Sequence, residues 1–368
     1  MVLPNKYLND IQKYIPGKSI EEVKKEFNLK EVIKLASNEN PFGFSKNVIN
    51  AINKFSKNLN RYPDGYAKDL KEKLSKKLNI GISNLIIGNG SDEIIDLVIK
   101  AYLSKKDEVL TCFPTFSYYK ISAKSFGVKF KEIPLKNYKF NVEGLLNSIN
   151  PRTKLIIICN PNNPTGTFLN YDELTYLIEN TKNILILIDE AYFEFYEEDK
   201  KVDGVELIKR FKNKDIIILR TFSKIYGLAG LRIGYGISKK EIIENLHKVK
   251  PPFNVNYLAQ ISAIEALEDE SFITKVYKNN LICKKKLYDF FNSLKIFYLP
   301  SQANFVFFDP KIDNEIIFYE LLKEGVIIRS LKSFGFKTAL RVSIGLESEI
   351  NIFVEKFKKV FYKLNKNF

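Results

Sequence analysis

Between residues 85 and 236 the chain alternates short apolar runs with amphipathic helical patterns, and no other feature restricts its fold as tightly. The apolar runs lie at 85–87, 108–111, 129–133, 155–159, 184–188, 216–219 and 233–236. Helical patterns such as 92–102, 115–126 and 171–180 fall between most of them. A strand buried on both faces has no polar side to alternate, so continuous apolar strands separated by helices predict a mostly parallel sheet flanked by helices. Such sheets bind ligands beyond the carboxyl ends of their strands. After Pro251-Pro252 the pattern changes to one long helical stretch over about 256–294, short strands at 305–309, 326–330 and 340–345, and a final helix. The chain of 368 residues is long enough for two domains. The expected division is a large α/β domain over 41–260 and a smaller α+β domain built from 1–40 and 261–368.

Chemistry-bearing residues stand where the strands end. The segment TFSKIYGLAGLRIGY (221–235) follows an apolar run and sets Ser223 beside Lys224, with Arg232 further on. A lysine beside anion-binding groups suits capture of a phosphorylated aldehyde as a Schiff base, with hydroxyl and guanidinium on the phosphate; pyridoxal 5'-phosphate is the common such aldehyde. The glycines at 227, 230 and 234 imply backbone freedom that a surface lysine loop does not need. In IIGNGSDE (86–93), Ser91 and Asp92 open a helix after a glycine turn, which makes an anion site of the helix start or, equally, a plain N-cap. In CNPNNPTG (159–166), prolines fix a turn and Asn163 offers an amide, to a ring oxygen or simply to the turn. In ILILIDEAY (184–192), Asp189 follows five apolar residues and would be costly to bury alone; a protonated pyridine nitrogen would pair with it, the alternative being a helix cap. Tyr192 is then placed to donate to the same ring's oxygen.

The composition excludes several other chemistries. One histidine, His247, rules out histidine triads and His-rich metal sites, so no metal is expected. The net charge of +15 raises nucleic-acid binding, but the lysines are spread along helical segments with acids beside them, as on a solvated surface. Three scattered cysteines, no long apolar run and no apolar core in MVLPNKYLNDIQKY lead to an expected cytoplasmic protein with neither membrane nor nucleic-acid partner. Only seven of the 58 basic residues are arginines, which marks arginine as the residue kept for forked contacts with phosphate or carboxylate. Arg152 and Arg210 look like surface residues; Arg61, Arg220, Arg232, Arg329 and Arg341 are the site candidates.

Taken together, these residues resemble the fold-type-I pyridoxal-phosphate enzymes of the aspartate aminotransferase superfamily over essentially the whole chain. Residues 14–43, YIPGKSIEEVKKEFNLKEVIKLASNENPFG, and NRYPDG (60–65) are similar to the histidinol-phosphate aminotransferases in particular. The resemblance implies transamination of L-histidinol phosphate with 2-oxoglutarate, giving imidazole acetol phosphate and glutamate in histidine biosynthesis. The alternatives are an aromatic amino acid aminotransferase or a threonine-phosphate decarboxylase. It implies a homodimer with shared active sites, in which Tyr62 reaches the cofactor phosphate of the partner subunit. By the same resemblance Ser91, Asp92, Ser223 and Arg232 surround that phosphate, and Lys224 is the Schiff-base residue. Asn163, Asp189 and Tyr192 hold the ring and Phe116 stacks on it, while Tyr14, Asn40, Arg329 and Arg341 contact substrate. Phe116 stands where many relatives have tyrosine, and Leu346 follows Gly345 where threonine is common; both bear on substrate preference.

Overall fold

The computed structural model describes residues 2–9, 11 and 17–365. The strands are β1 (Ile33–Lys34), β2 (Leu85–Gly88), β3 (Glu108–Phe113), β4 (Lys129–Pro134), β5 (Thr153–Cys159), β6 (Leu185–Asp189) and β7 (Ile216–Thr221). They continue with β8 (Gly234–Ser238), β9 (Phe297–Tyr298), β10 (Phe305–Asp309), β11 (Val326–Ile327), β12 (Arg329–Ser330) and β13 (Leu340–Ser343). All seven apolar runs of the alternating region form one seven-stranded sheet in the order β2-β8-β7-β6-β5-β3-β4. Its neighbours are parallel except around β8, which runs antiparallel to both β2 and β7. Ile156, Ile157, Ile158, Leu187, Ile217 and Ile218 have no exposed surface, so burial on both faces accounts for their unbroken apolar character.

The reversal at β8 matters for function. A parallel neighbour would need a crossover across the sheet. Here the chain instead turns back over residues 222–233, whose only regular element is the short 3-10 helix Ala229–Leu231. That whole turn therefore stays at the carboxyl edge of β7, carrying Ser223, Lys224 and Arg232 with it.

The remaining strands form a four-stranded antiparallel sheet, β12-β13-β10-β9, and a parallel pair, β1 with β11. Behind the smaller sheet lies an aromatic core in which Phe291 stacks on Phe308 at 4.5 Å, with Phe353 and Phe357 beside them. Two expectations need correction. The helical stretch over 256–294 is two helices, Tyr257–Glu268 and Glu270–Ser293. Asp269 separates them, because its carboxylate accepts the Phe272 N–H at 3.0 Å and caps the second helix. The strand expected at 326–330 is also divided: Val326–Ile327 pairs with β1, whereas Arg329–Ser330 pairs with β13. The N-terminal segment thus does pack against the later part of the chain.

Candidate active site

A cavity of about 210 Å³ opens at the carboxyl edge of the large sheet, where the smaller sheet meets it. Lys224 lines it, half-buried, with its Nζ 3.4 Å from the carbonyl oxygen of Ser37 and 5.8 Å from the Tyr192 ring centre. Burial, then the positive charge of Arg341, brings the lysine pKa down to about 8. A larger share of this amine than of an ordinary lysine is accordingly neutral and nucleophilic near physiological pH.

Asp189, the last residue of β6, is 3 % exposed and also lines the cavity. Its Oδ2 accepts the Tyr119 hydroxyl at 2.7 Å and its Oδ1 the Ala191 N–H at 3.1 Å. Burial pushes its pKa up to about 6. Among the described residues it forms no salt bridge, and the more distant charge of Lys224 only partly offsets the cost of burying it.

A helix start, an arginine and a hydroxyl pair, from three elements, line the same cavity. Gly90, at φ +79°, turns the chain into the helix Ser91–Tyr102 and leaves the first N–H groups of that helix without intrahelical partners. Arg232 donates from Nη2 to Asp92 at 3.2 Å, itself in the left-handed region at φ +55°. The Thr221 hydroxyl donates to Ser223 Oγ at 3.0 Å, which leaves the Ser223 hydrogen to point elsewhere. At Gly234 a Cβ would lie 2.6 Å from the backbone nitrogen of Ser91, so the absence of a side chain lets β8 approach this helix start.

The rest of the lining comes from loops and from the smaller sheet. Asn163 accepts from Arg341 Nη1 through its Oδ1, so its amide N–H groups are directed to other partners. Arg341 Nη2 also donates to the Ala36 carbonyl at 2.6 Å. The neighbouring Asn162 is held by Thr115 and Thr165 and supports the turn. Phe116 lines the cavity and meets Tyr119 edge to face at 5.4 Å. Ser91, Asp92, Tyr192, Ser223, Arg232, Arg329 and Arg341 also line the cavity.

Other candidates lie elsewhere. Asn40 is outside the lining: its Nδ2 donates to the Ile225 carbonyl at 2.7 Å and its Oδ1 accepts from Phe42 N–H, so it fixes the loop next to Lys224. Tyr62 is 82 % exposed and stacks on Phe253 at 4.6 Å, away from the cavity of its own chain. Tyr14 lies outside the described residues. Arg220 is a correction. Its guanidinium is buried, ion-paired to Glu190 and Asp203 and stacked on Phe193 at 3.4 Å, so it ties β7 to its neighbours instead of facing ligand. Arg61 is exposed and likewise off the cavity. Sequence reasoning missed Ser37, Asn38, Tyr119, Thr221 and Phe334, all of which line the site or hold a residue that does. Only the SNEN segment, inside the stretch that carried the resemblance, gave any hint of the first two.

A buried carboxylate, a lysine with a lowered pKa and a helix start beside an arginine define the class of site that takes up a phosphorylated aldehyde and works on amines. The family model for aminotransferase class I and II matches residues 30–357, and the chain belongs to that family. It is 45% identical to the histidinol-phosphate aminotransferase of Caldicellulosiruptor saccharolyticus over 354 residues, covering 96% of this chain and 98% of that one. It is 42% identical to that of Moorella thermoacetica over 351 residues, covering 95% and 91%. Among solved structures, the histidinol-phosphate aminotransferase of Clostridium acetobutylicum superposes with a TM-score of 0.83 at 28% identity, covering 90% of this chain and 100% of that chain. The Sinorhizobium meliloti histidinol-phosphate aminotransferase, solved in complex with pyridoxal-5'-phosphate, shares the fold with a TM-score of 0.88 at 24% identity, covering 98% and 97%.

Proposed function

We propose that this aminotransferase transfers the amino group of L-histidinol phosphate to 2-oxoglutarate, in histidine biosynthesis, with pyridoxal 5'-phosphate as cofactor. The observation that carries the reading is the pairing, in one cavity, of a lysine whose pKa is lowered to about 8 with a buried carboxylate that forms no salt bridge among the described residues. The near full-length similarity to histidinol-phosphate aminotransferases supplies the substrate.

When bound, the cofactor supplies an electron sink for charge developing at the substrate α-carbon. Asp189 would pair with the protonated ring nitrogen, which would offset the cost of burying its charge. Asn163 and Tyr192 would donate to the ring oxygen, and Phe116 would pack against the ring. Ser91, Ser223 and Arg232 hold the phosphate, Asp92 orients Arg232, and Tyr62 reaches in from a second copy of the chain. Lys224 would be the residue that holds the cofactor's aldehyde group and, when free, would move a proton at the substrate α-carbon, for which a pKa lowered to about 8 suits an amine that both accepts and returns it. Arg329 and Arg341 would receive the phosphate-bearing amine and the dicarboxylate in turn, since a guanidinium forks onto either anion, with Tyr14 as a further substrate contact and Asn40 acting through the loop it fixes next to Lys224. The same reading includes a homodimer, a cytoplasmic setting, and the division into 41–260 and 1–40 with 261–368.

The experiment is to incubate the protein with L-histidinol phosphate, phenylalanine or threonine phosphate, each with 2-oxoglutarate, and measure glutamate and carbon dioxide. Glutamate formation fastest with L-histidinol phosphate supports the reading. Carbon dioxide without glutamate, or preference for phenylalanine, refutes it.

A further inference from the structure

Asn38 has no role in the chemistry above, yet both its backbone and its side chain are held at several points. It is 2 % exposed and left-handed, at φ +55°, a conformation that asparagine tolerates better than most residues. Its backbone N–H donates to Ser343 Oγ at 2.9 Å, and its carbonyl accepts from Asn304 Nδ2 at 3.0 Å. The Ser343 hydroxyl donates back to Asn38 Oδ1 at 2.8 Å. With its oxygen so engaged, the amide presents Nδ2 to the Tyr192 hydroxyl and donates to it at 3.0 Å.

The direction of these bonds is the point. A phenol oxygen that accepts from Asn38 keeps its own hydrogen for another acceptor. Tyr192 lines the cavity, so a ligand held there is placed to supply that acceptor. The chain of bonds begins on β13, two residues beyond Arg341, and ends on the loop after β6. We propose that Asn38 is a positioning residue that, oriented by Ser343, makes Tyr192 a hydrogen-bond donor to the ligand in the cavity. Donation into an acceptor also polarises a hydroxyl, so a phenol that accepts from Asn38 donates more strongly than one that does not. The inference rests on the reading of the cavity as a pyridoxal-phosphate site, where the acceptor is the ring oxygen. A donor at that oxygen favours its anionic form, and weakening the donor raises the pH at which that form appears.

The test is a double-mutant cycle read by the pH titration of the bound cofactor's absorbance, with Asn38→Ala, Ser343→Ala and Tyr192→Phe. The expected result is that Asn38→Ala and Tyr192→Phe each move the titration midpoint to higher pH, the tyrosine change more. In the Tyr192→Phe background Asn38→Ala adds nothing. Ser343→Ala, which leaves the asparagine in place, gives a smaller shift of the same sign that also vanishes without the phenol. It reads the relay even if Asn38→Ala folds poorly. Equal shifts in both backgrounds, or none from Asn38→Ala or Ser343→Ala in a folded protein, overturn the relay while leaving the cofactor reading intact. If no pH-dependent cofactor absorbance develops in the unmodified protein, the cofactor reading fails and the relay with it.

Discussion

Lys224 and Asp189 carry opposite departures from ordinary behaviour, and burial is the leading cause of both. A lysine with a pKa near 8 makes a kinetic prediction. Capture of pyridoxal 5'-phosphate by the cofactor-free protein should speed up as pH rises and level off above about 8, when the amine is neutral. A rate still climbing at pH 10 would show an ordinary lysine. Lys224→Ala should abolish turnover while leaving the unfolding midpoint unchanged or higher, because an amine that resists ionisation adds nothing to the fold. Substantial residual transamination would overturn its role. Asp189 makes a thermodynamic prediction. Its folded pKa lies above its unfolded one, so between about 4 and 6 the folded state holds a proton that the unfolded state lacks. Stability from this group is therefore present below pH 4 and lost as pH rises through 6. In cofactor-free protein Asp189→Asn should gain up to about 3 kcal/mol over the parent at pH 7 and nothing at pH 4, measured by urea unfolding. A loss of stability at pH 7 would contradict an unpaired buried charge. Both residues were legible in the sequence: Asp189 because a carboxylate directly after an apolar strand is costly without a purpose, Lys224 because Ser223, Arg232 and the glycines after it set it apart from a surface lysine loop. Asn38 and Tyr119 were not, since each acts through a partner 154 or 70 residues away, with no local pattern to mark it.

At the scale of elements, the turn over 222–233 decides where the chemistry sits. Its glycines read alike in the sequence but differ in the structure. At Gly227, φ +72°, a Cβ would lie 1.8 Å from the Gly43 carbonyl oxygen, so neither torsion nor space admits a side chain. At Gly230 a Cβ would meet nothing within 4 Å, and the torsion is not left-handed. Gly227→Ala should therefore cost about 3 kcal/mol or more, whereas Gly230→Ala should stay within about 0.5 kcal/mol, both by chemical denaturation. Comparable losses would mean that the turn does not pack against the Gly43 carbonyl as described. The parallel strands were legible because burial on both faces leaves an unmistakable apolar run. The antiparallel course of β8 was not, because direction is set by what the connection can span and apolar content is indifferent to it. The break at Asp269 escaped because EALEDESF has no glycine or proline, and an aspartate caps a helix without disturbing the apolar period on either side.

For the whole molecule, the exposed stack of Tyr62 on Phe253 sits apart from the chain's own cavity, which suits a tyrosine that serves another copy. The proposed shared site makes a complementation prediction. Mixed dimers of Lys224→Ala and Tyr62→Ala chains each contain one site with both defects and one with neither. They should recover about half the activity of an unmodified dimer. Recovery no greater than the sum of the two parents would place Tyr62 outside the partner's site.

If Lys224 and Asp189 form the working centre of a transaminase for a phosphorylated amine, a single turnover will show it. Cofactor-loaded protein is mixed with L-histidinol phosphate alone, and a parallel sample without substrate is reduced with borohydride. The expected result is stoichiometric conversion of the bound cofactor to its amine form, regeneration on adding 2-oxoglutarate, and cofactor fixed by borohydride on Lys224. Cofactor fixed on another lysine, or conversion no faster with L-histidinol phosphate than with unphosphorylated L-histidinol, would contradict it.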